Sequence, residues 1–209
     1  MGEKGKLYNF GHAVDVDIIK NITDVFEHVM SNTSEAELVA AINWYPIAHA
    51  FCAAWAQAFG LETWQVAGIV AALSPQLPWQ KNKEQALETI ARLQNGRTLG
   101  GMQAYPVNRS KAIRIFNGEN PLDALGGLKV RSFYLNIMLD TESVTIDRHA
   151  CAIALFGLDT AKSGQITVTD KLYKLLAKAY TDVAQQYNIA PYVVQSVTWT
   201  YKAANGGKA

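Results

Sequence analysis

The sequence predicts an all-α protein, and three observations carry that prediction. Apolar residues recur at helical spacing along most of the chain. Proline, glycine and short polar residues fall where such segments begin and stop. The single β-like run, Val144-Thr145-Ile146, is too short to build a sheet. Of the 209 residues, 49% are hydrophobic and 18% charged, a balance that builds a core and excludes a disordered chain. That length suits one large domain or two small lobes.

The elements follow in order. Residues 15–30 place Ile18, Ile19, Ile22, Val25, Phe26 and Val29 along one helical stripe. Ser34-Glu35-Ala36-Glu37 reads as a capping box for a short helix to about residue 44. Pro46 opens the next helix and Gly60 ends it. Thr63 caps a helix over 64–73, stopped by Ser74-Pro75. A helix over 79–93 stops at Asn95-Gly96, and the glycine-rich stretch 97–105 reads as a loop. Short helices are predicted at 110–116 and 120–125. Gly126-Gly127 then turns the chain into a helix over 130–139. Asp147 precedes a helix over 148–156, closed by Gly157. Thr169 caps a helix to about residue 187, and Pro191 opens the last, to about 204. The total is roughly nine to eleven helices, followed by a short flexible tail, 205–209.

The formal net charge is +1, weak for a polyanion binder. The charge is unevenly placed, however. Arg109, Lys111, Arg114, Lys129 and Arg131 face only Glu119 and Asp123, while residues 35–61 hold no Lys or Arg. A one-sided polyanion site and a solvated basic stretch both fit that pattern. Cys52 and Cys151 lie outside any metal-spaced cluster, so neither a zinc site nor an iron–sulfur cluster is expected. They read as buried free thiols in a reducing cytoplasm. The apolar run 47–60 is too short to span a bilayer and the start lacks an apolar leader. The expectation is a cytoplasmic protein that meets no membrane.

Three motifs bear on chemistry. Leu73-Ser74-Pro75-Gln76, with Trp79 and Asn82 beyond it, puts two amide side chains and a stacking face at a helix–helix turn. The alternative is ordinary helix capping by Ser74, Gln76 and Asn82. Residues 125–132, Leu-Gly-Gly-Leu-Lys-Val-Arg-Ser, form a hairpin whose second helix presents free N–H groups beside Lys129 and Arg131, as a phosphate requires. A plain αα-corner reads the same way. Val144-Thr145-Ile146-Asp147-Arg148-His149 delivers an Asp to a helix start, either as an N-cap or as a carboxylate facing a cationic sugar or a water.

Together, in this order, the motifs resemble the helix-hairpin-helix DNA glycosylase superfamily, over roughly residues 64–203. That family pairs an L-S-x-Q turn and a later Asn with an L-P-G-V-G-R/K-x-S/T-A hairpin and a V-D-x-H segment. The counterparts here are Leu73 to Gln76 with Asn82, Leu125 to Ser132, and Ile146 to His149. Asn108-Arg109-Ser110-Lys111-Ala112 resembles the N-x-K-A helix that precedes the family hairpin. The wording of all three is most similar to small phage-encoded members. The resemblance implies a two-lobed helical fold, with a central lobe over about 64–145 and a second lobe from about 1–63 and 146–204. It also implies a monofunctional hydrolase that needs no cofactor and acts on DNA as a monomer, flipping a damaged or modified base out of the stack.

In that reading Asp147 is catalytic and His149 a possible helper. Gln76, Trp79, Asn82, Gly127, Lys129, Arg131 and Ser132 contact the nucleic acid. Trp64, Trp79, Tyr134 and Trp199 are candidates for the base pocket or for the core. The chain departs from the family pattern in four places, one being a slightly short segment from the hairpin to Asp147. Lys129 replaces the second hairpin glycine. Arg131 occupies the position of the lyase lysine and cannot form a Schiff base. The C-terminal four-cysteine cluster is absent. Two alternatives stay open: a phage DNA hypermodification enzyme that transfers an amine onto an activated thymine base, and a non-catalytic DNA-binding protein on the same fold.

Overall fold

The computed structural model describes residues 12–159 and 167–204, and these fold as eleven α-helices with no strand among them. The tail expected at 205–209 lies outside the described residues. The fold is therefore all-α. Val144-Thr145-Ile146 forms neither helix nor strand.

The helices group into two compact units. One takes the chain up to Ile42 and again from Ile146 onward; the other takes residues 43–145. The first unit holds α1 (His12–Asn32), α2 (Glu35–Ile42), α9 (Arg148–Phe156), α10 (Asp170–Gln186) and α11 (Pro191–Ala204). Helix α1 packs on α9, α10 and α11. Its stripe Ile18, Ile22, Val25, Phe26 and Val29 is buried, as the i, i+4, i+7, i+8, i+11 spacing demands. Asn21, on the same helix, donates from Nδ2 to the Ala154 carbonyl at 3.1 Å and so ties α1 to the end of α9.

The second unit holds α3 (Trp44–Phe59), α4 (Thr63–Leu73), α5 (Trp79–Gln94), α6 (Pro106–Phe116), α7 (Pro121–Ala124) and α8 (Leu128–Ile137). Helix α4 is its axis. Every residue from Val66 to Leu73 is buried, and α3, α5, α6, α7 and α8 all pack on it. This explains its sequence: a helix covered on all sides is apolar all round and has no polar stripe. The glycine in it, Gly68, marks the tightest approach. A Cβ there would stand 2.8 Å from Pro121 Cγ and 3.0 Å from Ile115 Cγ2.

The sequence reading begins the central lobe near residue 64, whereas α3 groups with that lobe because it packs on α4 and α8. His49 of α3 meets the Ile137 carbonyl of α8 at 3.0 Å. Several helix starts also move. Glu62, not Thr63, caps α4, through a reciprocal box with Gln65. At α2, Glu37 takes the Ser34 hydroxyl on its carboxylate while its own N–H reaches Ser34 Oγ at 3.4 Å. Helix α6 begins at Pro106 and not at Ser110, the proline occupying the first turn where its missing N–H costs nothing.

Candidate functional site

The residues assigned to nucleic acid from the sequence fall in the second unit, and Asp147 with His149 falls in the first.

In the second unit, the turn from α4 to α5 carries a strained residue. Gln76 has φ +65°, a left-handed conformation that costs a side-chain-bearing residue about 1 kcal/mol or more. Gln76 is exposed, and its Oε1 accepts the Tyr105 hydroxyl at 2.6 Å. Tyr105, itself 48% exposed at the start of α6, was not among the residues singled out from the sequence. Only its place before Pro106, in a stretch read as loop, marked it.

Trp79, three residues on from Gln76, belongs to a half-buried aromatic cluster. Its ring centroid lies 5.0 Å from Trp44, 6.0 Å from Phe51 and 6.5 Å from Phe133. The Lys83 ammonium lies 5.3 Å from the Phe51 centroid and 5.6 Å from that of Trp79. Asn82 is a correction to the sequence reading. It is 1% exposed and its Nδ2 donates to the Val70 carbonyl at 3.0 Å, so it pins α5 to α4 inside the core and offers nothing to a ligand at the surface. Tyr134 is likewise a core residue, and burial raises its phenol above the ordinary tyrosine range. Trp64 is half-buried on the first turn of α4.

The hairpin forms as α7, a glycine turn and α8. Gly127 takes φ +76°, which its lack of Cβ permits, and stands at the N-cap of α8. With no side chain there, the N–H groups of the first turn of α8 have no side-chain cap. Three cations surround this end. Lys129 is exposed and forms no ion pair among the described residues. Lys111 reaches over the turn, its Nζ 3.4 Å from where a Gly126 Cβ would be. Arg131 is exposed, but its Nε donates to the Leu125 carbonyl at 2.9 Å, so part of its donor set closes the hairpin on itself. Ser132 is half-buried one turn into α8. The other two basic residues of the stretch are engaged elsewhere: Arg114 is paired with Glu119, and Arg109 donates to the Leu99 carbonyl.

In the first unit, Asp147 is the N-cap of α9. Its Oδ1 accepts the His149 N–H at 2.9 Å and the Ala150 N–H at 2.8 Å. Oδ2 accepts no hydrogen bond among the described residues, and the side chain is half-buried. Capping thus uses one oxygen of two. His149 turns its ring edge-on to Trp199, centroids 6.1 Å apart, while Arg148 Nε lies 3.5 Å from His149 Nε2. Trp199 is half-buried.

Beneath this turn are two tyrosines that the sequence reading did not select, Tyr173 and Tyr180 of α10. The Ile146 N–H donates to Tyr173 Oη at 3.2 Å, and Tyr180 Oη donates to the Ala150 carbonyl at 3.1 Å. Their seven-residue spacing on an amphipathic helix was visible; that both point at the Asp147 turn was not. Burial raises the Tyr180 phenol well above its ordinary range, with the nearby Asp147 charge adding to the shift.

Among the described residues no group of three or more His, Cys, Asp or Glu side chains is placed to hold a metal ion, and no single helix is long and apolar enough to cross a bilayer. Cys52 and Cys151 are buried free thiols. No curated protein and no solved structure matches the chain. A family model does match, over residues 12–206, and through it the chain belongs to the family of unknown function DUF7178.

Proposed function

We propose that this protein is a DNA-base-processing enzyme of helix-hairpin-helix glycosylase type, a monofunctional hydrolase that excises a modified or damaged base. The observation that carries the reading is the Asp147 turn. A half-buried carboxylate is held rigidly through Oδ1 by two helix amides and keeps Oδ2 for another partner.

The N-glycosidic bond of a flipped nucleotide breaks with its electron pair leaving on the base. Positive charge develops on the sugar at C1′ and its ring oxygen. A fixed carboxylate stabilises that charge without having to reorganise. Water then adds to C1′ and its proton passes to the departing base. Asp147 supplies the carboxylate, with His149 beside it. The uncapped start of α8, with Lys111, Lys129 and Arg131, suits a backbone phosphate. Strained, exposed Gln76 with Tyr105 suits the space that a flipped base vacates. Arg131 cannot act as an imine-forming amine, so strand cleavage by β-elimination through that position is not expected.

The test is the fate of DNA incubated with the wild-type protein and with Asp147→Asn. The DNA panel carries uracil, hydroxymethyluracil, oxidised, alkylated and phage-modified bases, read by mass spectrometry without alkali. Abasic sites that depend on Asp147 are the expected result. A mass gain on the base in the presence of an amine donor overturns hydrolysis in favour of transfer. Binding with no product from either protein reduces the chain to a DNA-binding protein.

A further inference from the structure

Helix α10 presents two buried tyrosines on one face. Tyr173 and Tyr180 are seven residues apart, two helical turns, and are 7% and 0% exposed. Phenylalanine fills nearly the same space, and a buried hydroxyl costs free energy unless it is hydrogen-bonded. Both hydroxyls reach the same short stretch of chain. Tyr173 Oη holds the N–H of Ile146, the residue before Asp147, and Tyr180 Oη holds the carbonyl of Ala150, three residues after it. Ala150 is also one of the two amides on Asp147 Oδ1. The residue whose N–H fixes the carboxylate is thus itself held through its carbonyl.

We propose that Tyr173 and Tyr180 are positioning residues that clamp the Asp147 turn on both sides, keeping Oδ1 on the helix amides and reserving Oδ2 for the substrate. This rests on the reading of Asp147 as the working carboxylate. A carboxylate free to rotate about its side-chain bonds offers either oxygen in many orientations. One tied through Oδ1 offers a single oxygen in a single direction, and displacements of about 1 Å at a reacting group cost on the order of a hundredfold in rate.

The experiment compares wild type with Tyr173→Phe, Tyr180→Phe, Asp147→Asn and, as a packing control on the same helix, Val183→Ala, whose side chain is fully buried and carries no hydroxyl. Three quantities are read: amide hydrogen exchange at Ile146, His149 and Ala150, single-turnover base release, and DNA affinity. Losing one net hydrogen bond corresponds to roughly tenfold in a local opening equilibrium. Each Tyr→Phe change is therefore expected to speed exchange at the Asp147 turn about tenfold relative to Val25 on α1. It is also expected to slow base release at least tenfold while leaving DNA affinity unchanged. Val183→Ala is expected to lower Tm without either selective effect. The clamp is overturned if Asp147→Asn abolishes base release while both Tyr→Phe variants keep wild-type exchange and rate. It is overturned equally if Val183→Ala slows release as much as they do. Wild-type protein that releases no base, or an Asp147→Asn variant that releases it normally, instead sinks the glycosylase reading, and the positioning role with it.

Discussion

Gly68→Ala tests how the hairpin is seated. In an isolated helix the change is favourable by about 1 kcal/mol, since Gly is among the poorest helix formers. Here the new methyl group would stand 2.8 Å from Pro121 Cγ, 3.1 Å from Pro121 Cβ and 3.0 Å from Ile115 Cγ2. Real Cβ contacts do not reach 2.8 Å, so something must move. The Pro121 ring cannot rotate away, because it is closed on its own backbone, and Pro121 is the first residue of α7. Overpacking a filled core costs typically 1–3 kcal/mol. Against the propensity gain, the net expectation is a loss of about 1 kcal/mol, or about 2–4 °C in Tm for a chain of this size. The strain pushes α7 away from α4, and α7 leads into the Gly126-Gly127 turn, so DNA affinity is expected to fall together with Tm. Thermal melts and a DNA titration of Gly68→Ala, Pro121→Ala and the double variant read this directly. Removing the ring should relieve the methyl, giving a favourable coupling of about 1 kcal/mol between the two changes. If Gly68→Ala is as stable as wild type or more so, helix propensity has outweighed the contact and the close-seating argument is wrong.

Other expectations follow from the same geometry. Asp147→Ala removes a cap that satisfies two amides and is expected to cost about 1 kcal/mol; Asp147→Asn keeps an equivalent cap, so Tm should hold within a degree or two while base release is lost. Lys129→Ala and Lys111→Ala are each expected to lower the slope of log K against log salt for DNA by about 1, whereas Arg114→Ala, already paired with Glu119, should leave it unchanged. Burial pushes the Cys52 thiol up to about 12, and burial with the nearby Asp147 pushes Cys151 up to about 11. In the unfolded chain both titrate near 8.5. These pKa values are raised on folding, so their contribution to stability is fully present below about pH 8.5 and declines as pH rises toward 11. Urea midpoints at pH 7.5 and 10 check the sign, and a thiol reagent at pH 8 should label neither cysteine until urea unfolds the chain.

What was legible in the sequence was whatever local chemistry decides. The helix after Asp147 begins and ends where its cap and Gly157 place it, because both signals act within one turn. The buried stripe of α1 was readable from spacing, except that Ile19, counted in it, is only half-buried. Asn82 shows the limit. Its amide looks the same in sequence whether it faces solvent or, as here, the Val70 carbonyl across a helix interface. Arg131 is similar: its charge was visible, but the bond from Nε back to Leu125 depends on the angle between α7 and α8. The grouping of α3 with the central unit depends on contacts to α4 and α8 that no local pattern encodes. Tyr173 and Tyr180 were hidden for a related reason. A tyrosine on the apolar face of a helix reads as core until the partner of its hydroxyl is known.

The competing explanations of Asp147, a helix cap and a working carboxylate, are not alternatives in this geometry. Capping two amides needs one acceptor oxygen, which Ser, Thr or Asn supplies equally well. A carboxylate adds a second oxygen and a negative charge at the helix start, where the dipole favours it. The cap then serves as the mounting. It fixes Oδ1, sets the direction of Oδ2, and is braced by Tyr173 and Tyr180 from the next helix. A group held in this way is better suited to stabilising positive charge that develops at a fixed point than to carrying a proton from place to place, since the latter requires the carboxyl to turn. That distinction separates excision from transfer. Loss of the base through a cationic sugar needs a stationary negative charge, whereas amine transfer to a base needs a group that takes a proton from the nucleophile, a task for which His149, edge-on to Trp199, is the nearer candidate. Excision therefore predicts that His149→Ala slows base release far less than Asp147→Asn does, and transfer predicts the reverse order.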